Sequence, residues 1–330
     1  PAAFHDSQER DPPPRCLEGT RIAILKDIYD WISTSNEQIL WVSGPVGSGK
    51  SAVAQTVAEA CAQDKILAGS FFFLHGAQGR DTPDRLVASI SYQIVTKIPE
   101  KRKELGILIE RDLSILHKPL LFQFQNLVIP LFDTTPKIPV TSSCPPKPFL
   151  VILDGLDECA DEKKEQDVVR CIGDILNASL IPLRFIIVSR TELHIRRSFD
   201  RLTSKVHNIN IHTSYFPKFN SKEDNDIRTY LRHEFNRIYD EHELNEEEYW
   251  PNNHTMEKLI ASSGGIFIYA STIIGYVGDP DFHPVERLNE ILNNNTPLKS
   301  TPFSELDHLY RRILRLHKDQ ELLLCVLTVL

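Results

Sequence analysis

The chain has no CxxC pair. Its six cysteines, Cys16, Cys61, Cys144, Cys159, Cys171 and Cys325, are scattered. Zinc sites and disulfide frameworks need clustered thiols, so neither is indicated, and reduced cysteines in a cytoplasmic protein are expected. Basic charge is not in excess: 37 Lys and Arg stand against 45 Asp and Glu, a formal net charge of −8. That balance argues against chain-wide affinity for nucleic acid, which wants basic stripes. No apolar run reaches the roughly 20 residues of a membrane span. The longest, Ile266–Val277 and Leu322–Leu330, read as buried helices. No secretory signal opens the chain. His233-Glu234 and His242-Glu243 lack the second histidine of HExxH, which removes a metalloprotease site. Internal repeats and a kinase-type acceptor signature are also missing. The two Asn-x-Ser/Thr triplets, at Asn177 and Asn253, read as chance occurrences.

What is present is an ordinary globular composition, 41% apolar and 25% charged, over 330 residues. That suffices for two domains with sizeable cores. The start, Pro1 to Arg15, is proline-rich and charged and does not open on Met. It is expected to be a linker in a piece cut from a longer protein. Five short apolar runs then read as strands: Ile39–Ser43, Ser70–Leu74, Phe149–Asp154, Phe185–Ser189 and Val206–Ile211. Most do not alternate, as expected for parallel strands covered on both faces. Between them lie helical patterns. Val53, Val57 and Ala58 recur at helical spacing after Lys50. Thr82-Pro83 reads as a capped helix start, with Leu86, Ile90 and Ile94 on one face. Phe71-Phe72-Phe73 reads as core, and Asp133–Pro148 as a Pro/Thr/Ser-rich surface loop. Strands alternating with helices predict an α/β, doubly wound domain over residues 16–215. From Ser221 the strand signal stops. Helices are expected at Ile227–Ile238, Met256–Ser262, Gly265–Val277, Val285–Leu292 and Ser304–Leu316, a small all-helical domain within 216–317. The acidic stretch Glu241–Glu248 and the cluster Arg311, Arg312 and Arg315 read as solvated faces.

Gly44-Pro45-Val46-Gly47-Ser48-Gly49-Lys50-Ser51 matches GxxxxGK[ST] between a strand and a helix. Glycines at 44, 47 and 49 permit backbone conformations that turn successive N–H groups toward phosphates, and the helix N-terminus adds positive partial charge. Lys50 is placed to reach the β- and γ-phosphates, and Ser51 to ligate magnesium. Val46, Ser48 and Ala52 complete the cradle. The alternative is a glycine-rich turn with an exposed lysine.

Phe149–Asp154 is an apolar strand ending in an acid, where doubly wound sheets bind ligands. Asp154 is the expected magnesium-side acid. Asp157 and Glu158 follow within a turn, and one of them is expected to orient or deprotonate attacking water. The alternative is a loop with helix-capping carboxylates. Arg190, after the strand Phe185–Ser189, is placed to touch a γ-phosphate. The alternative is a surface arginine paired with Glu192 or Asp154.

These motifs together resemble the NACHT domain of the STAND-class P-loop NTPases, and most closely fungal NLR-like receptors. The resemblance runs from about Cys16 onward. Its most specific piece is Leu153-Asp154-Gly155-Leu156-Asp157-Glu158, with a tiny residue after the magnesium acid and a second acid two positions on. Cys16-Leu17-Glu18-Gly19-Thr20-Arg21 looks like the opening segment that contacts adenine, which assigns Thr20 and Arg21 to the base. Asp226–Leu231 and Gly264–Ala270 look like helical-domain signatures. Relatives carry a proline on the adenine where this chain has Phe267, so Phe267 is expected to stack there.

The resemblance implies an ASCE-type parallel sheet of order 5-1-4-3-2, with the Arg190 strand between the two motif-bearing strands. It also implies the start of a truncated winged-helix domain at 318–330, whose phosphate-sensing histidine would lie beyond Leu330. The implied function is an ATP/ADP switch with slow magnesium-dependent hydrolysis. The ADP form is closed and the ATP form assembles into homo-oligomers, serving signalling between an upstream effector and downstream sensor repeats. Alternatives are a continuously turning-over AAA-type ATPase and a nucleotide-binding scaffold without hydrolysis.

Overall fold

The computed structural model describes residues 2–133, 149–178, 181–202, 206–211, 222–244, 250–292 and 302–316. The expected loop at Asp133–Pro148 therefore lies almost wholly outside the described residues, as do the winged-helix start at 318–330 and half of the acidic stretch. The chain divides into two compact units. One comprises Pro1–Cys16, Ile22–Val46 and Lys50–Ile211; the other comprises Leu17–Arg21, Gly47–Gly49 and His212–Leu330.

In chain order the first unit contains α1 (Ile22–Thr34), β1 (Ile39–Ser43), α2 (Lys50–Gln63), β2 (Leu67–Phe72), α3 (Leu86–Lys97), α4 (Arg102–Arg111), and the short α5 (Leu120–Gln123) and α6 (Pro130–Asp133). It continues with β3 (Phe149–Asp154), α7 (Glu162–Ala178), β4 (Leu183–Ser189), α8 (Leu193–Asp200) and β5 (Val206–Asn210). The strands pair in parallel in the order β2-β3-β4-β1-β5, which is the expected sheet. β4 lies between β1 and β3, with Ser43 level with Ser189 and Asp154 level with Val188. The ends of the two motif-bearing strands are thereby one strand apart.

Successive strand side chains point to opposite faces. Ile39, Trp41, Val151, Leu153, Phe185 and Ile187 join the core that includes Leu86, Ile90 and Ile94 of α3. Leu40, Val42, Leu150, Ile152, Ile186 and Val188 join a second core with Val53, Val57 and Ala58 of α2. Burial on both faces is why the strands read as unbroken apolar runs. β5 is the exception, because His207, Asn208 and Asn210 are exposed.

Three expectations need correction. β2 begins at Leu67, three residues before the expected start, because Leu67 and Gly69 pair with Leu150 and Val151 across a register shift that the small Ala68-Gly69 pair concealed. Thr82 precedes a 3-10 turn, Pro83–Arg85, and its hydroxyl donates to the Asp84 carboxylate (3.0 Å) and caps no backbone N–H. The N-terminal stretch expected as a linker packs on the first unit. The buried Ala3 accepts from the Phe72 N–H (2.9 Å), and the Ser70 hydroxyl accepts from the His5 N–H (3.0 Å). On that same outer edge of β2, the Gln93 side-chain amide accepts from the Ser70 N–H (3.0 Å) and donates to its carbonyl (2.8 Å), as a neighbouring strand would.

The second unit holds α9 (Lys222–Glu241), α10 (Asn253–Ser263), α11 (Phe267–Val277), α12 (Pro284–Leu292) and α13 (Pro302–Leu316), matching the five expected helices within a few residues. Ile227, Leu231, Phe235, Ile273, Ile274 and Leu288 are among its buried core. Asn252 caps α10, accepting from the Thr255 N–H at 2.9 Å, and Gly264 ends it in the left-handed region.

Candidate functional site

The phosphate-loop sequence links β1 to α2, with Lys50 as the first residue of the helix. Gly47 (φ +70°) and Gly49 (φ +84°) adopt the left-handed backbone, while Gly44 does not, contrary to the expectation for all three. Gly47 is also the point of closest approach: a Cβ there would stand 2.3 Å from Ile268 Cγ2. Of the remaining loop residues, Val46 is exposed, Ser48 fully buried and Ala52 half-buried.

Within the first unit the Lys50 ammonium donates to the Pro45 carbonyl at 2.9 Å. Burial lowers its pKa, and the carboxylates of Asp157 and Asp154 oppose that effect. Asp154 ends β3 and is almost fully buried. Burial pushes its carboxyl up to about 6 against the opposing pull of the Ser51 hydrogen bond and the Arg10 and Lys50 charges. Its Oδ1 is buried without a hydrogen-bond partner. A hydroxyl at the helix start, bonded to a buried carboxylate with an orphaned oxygen, is a donor set that fits a hard divalent cation.

Gly155 follows with φ +71° and ψ +39°, which explains the tiny residue after the acid: a side chain would strain that left-handed turn. The turn opens the 3-10 segment Leu156–Glu158 and separates the roles of its two acids. The Asp157 side chain is 4% exposed, and both its oxygens engage Arg190: Oδ1 accepts from the backbone N–H (2.9 Å) and Oδ2 from Nε (2.9 Å). Neither Glu192 nor Asp154, the expected alternatives, is the carboxylate that Arg190 meets. Glu158 is half-buried, its pKa raised by burial, and its Oε2 accepts at 3.4 Å from the His75 N–H.

In the second unit the Thr20 hydroxyl donates to the Leu17 carbonyl (2.7 Å). Arg21, buried at φ +57°, donates to the Ser48 carbonyl (2.6 Å), lies 3.9 Å from Asp226 Oδ2, and stacks 4.6 Å over the Phe267 ring. The ring expected to take adenine thus carries a guanidinium, and Arg21 grips the phosphate loop's own backbone.

Sequence reasoning missed Arg10. Its Nη2 donates to Gln55 Oε1 (3.0 Å), its guanidinium lies 3.7 Å above the Phe72 ring, and its charge acts on Asp154 and Glu158. The stretch around it has no periodicity and no motif; only Ser7, which caps the 3-10 turn Gln8–Arg10, marks it as ordered.

A sequence family described as nephrocystin 3, N-terminal, matches residues 19–190, just over half of the chain. The chain belongs to the nephrocystin 3 N-terminal family. The nephrocystin 3 N-terminal match contains Thr20, Arg21, the phosphate loop, Asp154, Asp157 and Glu158, and ends on Arg190 itself; Arg10 and Phe267 lie outside it. The matching family model is not one described as NACHT. Among solved structures, PCH-2 of C. elegans aligns at 11% identity and TM-score 0.45, covering 89% of this chain and 69% of that one. A HORMA:CdnC:Trip13 complex of E. coli MS115-1 aligns at 11% identity and TM-score 0.31, covering 89% and 78%. Likeness at this level is too weak to assign anything to the chain. No curated protein matches it. Among the described residues no helix is long and apolar enough to cross a membrane.

Proposed function

We propose that the chain binds adenine nucleotide with magnesium and acts as a slow ATP-hydrolysing switch of the NACHT type, within a cytoplasmic, fungal NLR-like signalling receptor. One observation carries the reading: Asp154, at the end of β3, is almost fully buried with its Oδ1 lacking any protein partner, and the Ser51 hydroxyl and the Lys50 charge act on that carboxyl. The nucleotide-loop sequence Gly44–Ser51 supplies the rest.

Ser51 and Asp154 would hold a magnesium ion, which would supply a Lewis acid for the phosphates. Lys50 exchanges its bond to Pro45 for the phosphates. Glu158, with its raised pKa and one weak partner, takes the water proton. Asp157 holds Arg190, which reads the terminal phosphate. Slow turnover suits a switch, since gain or loss of one phosphate changes local contacts enough to bias two arrangements. Assembly of like chains in the ATP state, an upstream effector, downstream sensor repeats and a role in innate signalling belong to the same proposal; nucleic acid does not.

Calorimetry with ATP and ADP, with and without magnesium, tests it. Wild type is expected to bind both, and Lys50→Ala to lose ATP strongly. Equal affinities for the two chains would refute the loop assignment.

A further inference from the structure

Arg10 is held in place more firmly than its sequence context suggests. Ala3 and His5 fasten the N-terminal stretch to β2, the Gln55 side chain donates to the His5 carbonyl at 2.8 Å, and Ser7 caps the turn that ends in Arg10. The guanidinium carbon then stands 3.7 Å from the centroid of the Phe72 ring, and Phe72 stands opposite Asp154 in the β2–β3 register. Neighbouring strands are about 4.8 Å apart, so the ring carries the cation alongside the proposed magnesium acid.

One donor there is left over. Arg10 Nε is buried without a hydrogen-bond partner, as is Asp154 Oδ1. Arg10 bonds Gln55 of α2 through Nη2, which fastens the N-terminal stretch, and that bond leaves Nε unmatched. An orphaned donor and an orphaned acceptor in one corner are satisfied together by a ligand offering anionic oxygens to the first and a cation to the second. A metal-bound triphosphate has that chemistry. Asp154 and Glu158, the acids whose charges act on Arg10, mark the metal end of the proposed site.

We propose that Arg10 is a further nucleotide-positioning residue, which turns its guanidinium to the terminal phosphate of a bound magnesium–nucleoside triphosphate. The proposal rests on the phosphate-loop reading above.

Titration of the full chain with magnesium–ATP and magnesium–ADP, for wild type, Arg10→Gln and Arg10→Lys, tests it. Arg10→Gln is expected to weaken ATP binding about tenfold, as loss of one charge-assisted contact does, and ADP binding by less than about twofold. Arg10→Lys should recover part of the difference, since it restores charge but not the fork. Unfolding midpoints without nucleotide accompany the titrations. An ATP-to-ADP ratio unchanged in Arg10→Gln overturns the inference; if the midpoint also falls, Arg10 is a brace for the N-terminal stretch. If wild type binds neither nucleotide, the phosphate-loop reading fails first and takes this inference with it.

Discussion

Replacing Asp154 by Asn should make the nucleotide-free protein more stable while destroying its use of magnesium. In the folded chain burial raises the Asp154 carboxyl from its ordinary 3.8 to about 6. The folded state then holds a proton that the unfolded state releases between those two values. Stability from this group is therefore present below about pH 4 and lost as pH rises through 6. At 1.36 kcal/mol per tenfold, that gap makes the ionised carboxylate cost about 3 kcal/mol at neutral pH. Asn keeps the shape, can still accept from Ser51, and never ionises. In EDTA at pH 7.5, Asp154→Asn should raise the unfolding free energy by up to about 3 kcal/mol, or several degrees at about 2–4 °C per kcal/mol for a unit of this size. Urea unfolding from pH 4 to 8 is the assay, and the two chains should converge toward pH 4. Magnesium–ATP at about 1,000 times its Kd should reverse the ranking, since it adds about 4.1 kcal/mol to wild type only. A variant no more stable than wild type at pH 7.5, or a difference that does not change with pH, would refute the burial argument.

The remaining predictions concern the loop and the acids. Gly47→Ala places a Cβ 2.3 Å from Ile268 at a φ of +70°, so its unfolding midpoint should fall and its nucleotide affinity drop at least tenfold by titration. Arg190→Ala keeps the backbone bond to Asp157 Oδ1 but leaves the buried Oδ2 without its cation, so it should cost about 1–3 kcal/mol of stability; adding Asp157→Asn should recover part of that, and a non-zero coupling in the double-mutant cycle is the check. Glu158→Gln should leave ATP affinity within about threefold and lower single-turnover hydrolysis about a hundredfold or more; unchanged hydrolysis would remove its proposed role.

Much of the sheet was legible because its strands are apolar on both faces and end where motif residues begin. Ile39–Ser43 and Phe149–Asp154 were readable to the residue. Legibility failed where a backbone partner replaced the side-chain signal. β2 starts on Leu67-Ala68-Gly69, whose pairing with β3 outweighs weak strand propensity. The phosphate loop, Asp154 and Ser51 could be read because their chemistry demands fixed residue types at fixed spacing. The Asp157–Arg190 pair could not, since it joins residues 33 apart that only the β3–β4 pairing brings together. Arg21 was read as a base contact from its neighbours in sequence, yet its buried guanidinium is committed to Ser48 and the Phe267 ring. Arg10 lay in a proline-rich stretch whose order comes from tertiary hydrogen bonds to β2 and α2, which no local pattern announces.

The two borders of the sheet have a practical consequence for anyone trimming the chain to its family match, residues 19–190. Such a piece would lose Ala3 from the outside of β2, but Gln93 would still occupy the Ser70 backbone there. On the other side it would lose β5, and with it the outer of the two ladders along Ile39–Ser43, leaving only the one to β4. Ile-Leu-Trp-Val-Ser, uncharged and free of proline and glycine, would then be an open strand with unpaired N–H and C=O groups, a template for pairing with its own copies. The shortened chain should collect in inclusion bodies, and one extended through residue 211 should not.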